Sequence, residues 1–206
     1  RKHTHITLRL DYMDPLSSIA TGFGASAPAG WNPYLALLLI SLGARFGWVK
    51  IADSFSFLTS TTAIVILVIL VTLEVVADKV PTIDHFNDLI GTVIRPLAGA
   101  ILFAAVGYNF DGNTWISYVL GAVSAGSLHA IKASTRPLWT ITTGGLANPV
   151  VSVFEDLGAG TVVILAMLAP LVSLLILLLL LFVVISLLML LRRRVRRRPS
   201  AKISKV

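Results

Sequence analysis

The chain has 206 residues, of which 56% are hydrophobic and 13% charged, and it contains no cysteine. Soluble domains carry about 25% charged residues, so the composition excludes an ordinary soluble globular protein, and the missing cysteine excludes disulfides, thiolate metal sites and cysteine nucleophiles. The net charge of +7 does not point to nucleic acid: six of the 17 Lys and Arg are Arg192, Arg193, Arg194, Arg196, Arg197 and Arg198, directly after an apolar run. Such a cluster fixes membrane orientation and touches anionic lipid.

Residues 1–12 are polar and are expected to be an upstream extension or a cloning remnant, with no cleavable signal peptide. Residues 15–44 carry no charge, but Pro28 and Pro33 cannot share one straight helix. A short Gly/Ala-rich segment over 15–27, a break and a spanning helix from Pro33 to Trp48 are therefore expected. The broken part must be buried in protein or line a cavity, because lipid cannot satisfy its backbone. Ser54 to Leu73 gives 20 uncharged residues, the length of a second span. Pro81 to Ile94 is amphipathic and predicts an interfacial or re-entrant helix.

A third span is expected from Arg95-Pro96 to Phe110. A fourth, from Trp115 to Ile131, has Gly121/Ala125 and Ala122/Gly126 at the spacing that lets helices approach closely. Arg136 to Pro149 is polar and reads as a connection. Leu157 to Leu191 has 35 residues without a charge, too long for one span, and Pro170 divides it into the fifth and sixth. The fold class is thus all-α: a polytopic integral membrane protein with about six transmembrane helices and one or more broken or re-entrant segments. It forms a single transmembrane domain over 13–191 followed by a basic cytoplasmic tail over 192–206.

With that tail inside, 15 of the 17 Lys and Arg fall on the cytoplasmic side and only Arg45 and Lys50 outside, or 12 against 2 without the first 12 residues. This bias predicts two cytoplasmic termini and a bacterial inner-membrane location. The stretches Pro81 to Val93 and Pro149 to Val162 share the pattern P-x-x-[DS]-x-F-[NE]-D-L followed by G-T-V, and predict a parallel internal repeat with halves over 54–110 and 113–169. Repeats of this kind place sites at their interface. Trp31, Trp48, Trp115 and Trp139 are expected at the membrane interface.

Charge outside the tails gathers on the cytoplasmic side: Glu74, Asp78, Asp84, Asp88, Arg95, Lys132, Arg136, Glu155 and Asp156 are the candidate binding residues, with Lys79, His85 and His129 beside them. Glu155 and Asp156 lie about two turns into a helix, where a carboxylate must be protonated, paired or wet. One reading is a polar cavity for an ion or solute; the other is a set of ion pairs pinning loops to helix ends. No paired-ligand spacing for a metal, nucleophile elbow, phosphate loop or dinucleotide fingerprint is present. No catalytic residue or cofactor is therefore expected, and a bound metal is left open.

Gly30-Trp-Asn32-Pro-Tyr34-Leu35, Glu74-x-x-x-Asp78-Lys79-x-Pro81-x-x-Asp84, Thr92-x-x-Arg95-Pro96-x-Ala98-Gly99-Ala100, Lys132-x-x-Thr135-Arg136-Pro137 and Asn148-Pro149-x-x-Ser152-x-x-Glu155-Asp156 together resemble the bacterial membrane proteins of domain-of-unknown-function family 4126, over about Pro15 to Leu191. The resemblance implies an integral membrane protein and no particular activity. The function expected is a small membrane transporter or channel-like protein with a cytoplasm-facing polar site for an ion or small polar solute. The alternative is a non-catalytic accessory subunit of a membrane complex, and the third reading is a membrane-embedded enzyme acting on lipid head groups. Expected partners are membrane lipids, with anionic lipid at the tail. Assembly as a homo-oligomer or larger complex is open, and nucleic acid is not expected.

Overall fold

The computed structural model describes residues 14–78, 81–108, 110 and 112–196, with the side chains of 81–88, 188 and 191–196 outside the description. Among the described residues the secondary structure is wholly helical: α1 (Pro15–Ser26), a 3-10 turn (Ala27–Gly30), α2 (Pro33–Arg45), a 3-10 helix (Asp53–Thr59), α3 (Thr61–Ala77), α4 (Pro81–Val106), α5 (Thr114–Thr143), α6 (Asn148–Leu168) and α7 (Pro170–Arg196). The contacts divide the chain into two compact units, 1–174 and 175–206. The packed bundle belongs to the first, and the described part of the second is the apolar continuation of α7.

Local chemistry sets the helix starts. Asp14 accepts from the Ser17 N–H at 2.6 Å, Asn32 from Leu35 at 2.8 Å and Ser60 from Ala63 at 3.2 Å, each satisfying an amide that a first turn leaves open. Prolines at the starts of α1, α2 and α6 lack the N–H that would be unpaired there. The left-handed Gly144 and Gly145 turn the chain out of α5, at φ 62° and 87°.

Three helical stretches are long and apolar enough to cross a membrane: Leu89–Val106, Asn148–Leu168 and Pro170–Leu187. A fourth is added if Asp53–Thr59 and α3, bent by 64°, count as one. Large apolar side chains such as Val65, Ile69 and Leu73 on α3 and Leu175, Leu179 and Phe182 on α7 are exposed, as they are in proteins whose solvent is lipid. The break after α1 and the division at Pro170 agree with expectation.

Four boundaries do not. Pro81 to Ile94 is not a separate interfacial or re-entrant segment; it is the first half of α4, which runs on through Pro96. Arg136 to Pro149 is not simply a polar connection, because α5 continues through Pro137 to Thr143. An internal proline costs one helical hydrogen bond and a clash with the preceding turn, and packed neighbours can re-satisfy the freed carbonyl. The second span does not start as a straight helix but as a 3-10 turn that bends at Ser60. The first ends at Arg45, and its 13 residues reach about 20 Å, short of a ~30 Å hydrocarbon core.

The most extensive helix contact is between α4 and α5. They cross at Gly99 and Gly121, where a Cβ on either would run into the other's backbone carbonyl. Gly30 meets the Ala125 carbonyl in the same way, which brings the break against α5. Of the two expected small-residue pairs, Gly121/Ala125 makes this crossing; a Cβ on Gly126 would meet only Pro96 Cγ at an ordinary 3.6 Å. Trp48, Trp115 and Trp139 are exposed, whereas Trp31 is partly buried against Gly158 of α6.

Candidate functional site

Glu74 and Asp78 are one turn apart at the end of α3, and Lys132 and Arg136 are one turn apart on α5, so each helix offers a two-residue charged stripe. All four are buried. On α6, Asn148, Ser152 and the pair Glu155 and Asp156 recur at helical spacing along one face, and α4 contributes Arg95. The break between α1 and α2 contributes the Trp31 carbonyl and the Asn32 amide.

One arm of the site centres on Lys132. Its Nζ donates to the Trp31 carbonyl at 3.1 Å and to Asp78 Oδ2 at 3.1 Å, and lies 3.3 Å from Glu155 Oε2. Arg136 Nη2 reaches Glu155 Oε2 at 2.9 Å and Asp78 Oδ2 at 3.4 Å, and the Ser152 hydroxyl lies 3.4 Å from the same Asp78 oxygen. Lys132 is 1% exposed and Asp78 2%. Their charges are therefore held by one another rather than by water, the condition under which a buried pair survives its desolvation.

The other arm centres on Arg95. Its Nη2 lies 3.5 Å from Glu74 Oε1, and its Nη1 is 2.6 Å from His129 Nδ1. A guanidinium only donates, so His129 Nδ1 must be the acceptor and Nε2 carries the proton toward Thr92 Oγ1 at 3.2 Å. The imidazole in this arrangement is neutral. Glu74 Oε2 is buried with no hydrogen-bond partner among the described residues.

Asp156 stands at the edge of both arms. It is partly exposed, and its partner is the Asn32 Nδ2, which donates to Oδ1 at 2.9 Å. The Asn32 Oδ1 is already committed to the α2 cap, so both ends of that amide are fixed. Among the described residues no group of three or more His, Asp or Glu is arranged to hold a metal ion.

Of the nine candidate residues, Glu74, Asp78, Arg95, Lys132, Arg136, Glu155 and Asp156 converge here. The side chains of Asp84 and Asp88, with those of Lys79 and His85, lie outside the described residues, as does the expected pairing of Asp88 with Asp156 and of Phe86 with Phe154. The expectation that a basic residue comes within reach of one of the two aspartates is met in part at Asp156, whose hydrogen bond is to a neutral amide but whose charge is acted on by the nearby Lys132 ammonium. Sequence reasoning did not single out Asn32, Thr92 or Ser152 as site residues. The available signal was Asn32-Pro33 after a break, which marks a helix cap, and a cap side chain has a second polar atom to spend.

No curated protein and no solved structure matches the chain. A family model described as a domain of unknown function (DUF4126) matches residues 19–190, which include the break, both charged arms and the glycine crossing, and the chain belongs to that family.

Proposed function

We propose that the protein is a small membrane transporter or channel-like protein whose polar cluster binds a proton or a monovalent cation. The observation that carries this reading is charge. Among the described residues four carboxylates, Glu74, Asp78, Glu155 and Asp156, face three fixed cations, Arg95, Lys132 and Arg136, and His129 is held neutral. Counted over these described side chains alone, the carboxylates exceed the cations by one in a largely buried cluster, and a proton or a cation bound there would balance that excess. Asp156 is the natural carrier, since it is partly exposed and its hydrogen bond among the described residues comes from a neutral amide.

In the arrangement we propose, α3 with its 3-10 lead and α4 to α7 cross the cytoplasmic membrane, and the shorter α1 and α2 meet at the break between them. In this arrangement the cluster and the Arg-rich tail face the cytoplasm, with the tail on anionic lipid, while the start of α1 lies at the end of the bundle away from the cluster, since α1 passes Phe103 and Gly107 at Gly22 before the break meets Lys132 at Trp31. The charge bias along the sequence supports this. A parallel repeat of α3–α4 and α5–α6 is supported by the shared motif and by the start of α4 and α6 at a proline. In a single-cysteine version, Asn113→Cys should be labelled by an impermeant reagent only from outside; labelling from the cytoplasm alone overturns the topology.

The functional test is flux. Proteoliposomes loaded with a pH dye and driven by a potassium diffusion potential, or assayed with radioactive sodium or rubidium, should show protein-dependent entry that Asp156→Asn abolishes while leaving the fold intact. A second reading, an accessory subunit, is favoured by the three acceptors around Lys132, which give a rigid clamp. It predicts no flux of any of these ions and stable co-purification with other membrane proteins.

A further inference from the structure

We infer that the Trp31 carbonyl and the carboxylates of Asp78 and Glu155 form a monovalent-cation site at the helix break, and that the Lys132 ammonium is its tethered occupant. Oxygens from three separate elements converge on one Nζ, at 3.1, 3.1 and 3.3 Å. An ammonium has three N–H donors, and each has an oxygen to face. The Lys132 side chain is 0% exposed, so water does not complete the shell.

The backbone oxygen separates this arrangement from a plain ion pair. Trp31 sits where the 3-10 turn has ended and α2 has not begun. Discontinuous helices in membrane proteins leave such carbonyls free to coordinate a cation. Here the chain supplies that cation from α5, whose close approach to the break is secured by Gly30 against the Ala125 carbonyl.

Charge sets the valence. Arg136 Nη2 also serves Asp78 and Glu155, so with Lys132 present two carboxylates meet two cations. A monovalent ion on these oxygens replaces the ammonium charge for charge, whereas a divalent ion adds a charge the cluster does not carry with Lys132 in place. Ammonium resembles potassium in size, so potassium should fit the vacated site better than sodium. The inference goes beyond the transport reading: the site stands whether or not the protein moves a solute.

The test uses the full chain in detergent, as wild type, Lys132→Ala and Lys132→Met, with melting temperatures measured in potassium, sodium, ethylammonium and N-methylglucamine chlorides at equal ionic strength. Lys132→Ala should gain several degrees, saturably, in potassium or ethylammonium relative to N-methylglucamine, and its yield of monodisperse protein should rise with the same ions. The wild type, whose site is filled by its own ammonium, should not distinguish the salts, and Lys132→Met, whose side chain ends one atom short of the Nζ position, should respond less than Lys132→Ala. Equal behaviour of Lys132→Ala in all four salts overturns the inference. So does failure to recover it folded in any of them, or a matching salt response in the wild type. Ion flux in proteoliposomes is a separate readout, so loss of the transport reading leaves this result untouched.

Discussion

Glu74 and Asp78 occupy the same face of the same helix one turn apart, are both nearly inaccessible, and yet are held differently. Asp78 Oδ2 is shared by Lys132, Arg136 and Ser152, while Glu74 has one guanidinium at 3.5 Å and a second oxygen with no hydrogen-bond partner among the described residues. Burial alone therefore does not say what a carboxylate contributes. The number of donors on its oxygens separates a structural acid from one available to chemistry.

Breaking the better-served side should cost most. Asp78→Ala leaves Lys132 and Arg136 short of an acceptor inside the protein, and a loss of about 3–5 kcal/mol is expected in reversible unfolding in micelles, enough to prevent folding in many backgrounds. Glu74→Gln should cost less than Asp78→Ala, because it removes a charge that is poorly met, its amide oxygen can still accept from Arg95, and Arg95 keeps its contact with His129. If the two variants proved equally destabilising, the contrast between the arms would be wrong.

Asn32→Ala removes both the α2 cap and the Asp156 partner and should cost about 2 kcal/mol. Asn32→Asp separates these roles: it keeps a capping oxygen but sets a carboxylate against Asp156. Its melting temperature should fall below that of wild type near neutral pH and recover as the pH is lowered. A pH-independent deficit would show that capping geometry, not charge, was lost. Asp156→Asn should change stability by no more than about 1 kcal/mol, since an amide oxygen can still accept from Asn32. A large loss of stability there would move Asp156 from the available acids to the structural ones.

The smallest effect belongs to an exposed carboxylate that serves as the reference. The Ser17 backbone N–H beside Asp14 holds its carboxyl below the usual carboxylate range. Its cap is thus fully present above the unfolded-state value and is lost as the pH falls through the lowered folded one. The protection factor for hydrogen exchange at the start of α1 should fall in acid, and Asp14→Asn should remove that dependence.

The charged residues were legible because ionised groups are rare in so apolar a chain, and seven of those picked out converge on one cluster. What was not legible was partnership. Asn32 lies 124 positions from Asp156 and has an obvious local job as a cap, so nothing in the one-dimensional pattern assigns its second polar atom. The His129 tautomer likewise depends on Arg95, 34 residues away. Prolines misled in proportion to their surroundings: Pro28, Pro33 and Pro170 mark breaks or helix starts, whereas Pro96 and Pro137 sit inside continuous helices. A proline's cost is fixed, but the repayment by neighbouring helices is tertiary and leaves no local trace.

The glycine crossing of α4 and α5 has a consequence for how the gene can change. Every amino-acid replacement reachable by a single base change in a glycine codon adds at least a Cβ. At Gly99 and Gly121 that atom meets main chain, which has no rotamer through which to yield. These two codons therefore have no neutral neighbours that change the amino acid, in contrast to the many exposed Leu and Val positions of α3, where one apolar residue can drift to another under the same lipid. Among descendants of this chain the crossing should be inherited as a fixed point around which the rest of the sequence is free to wander.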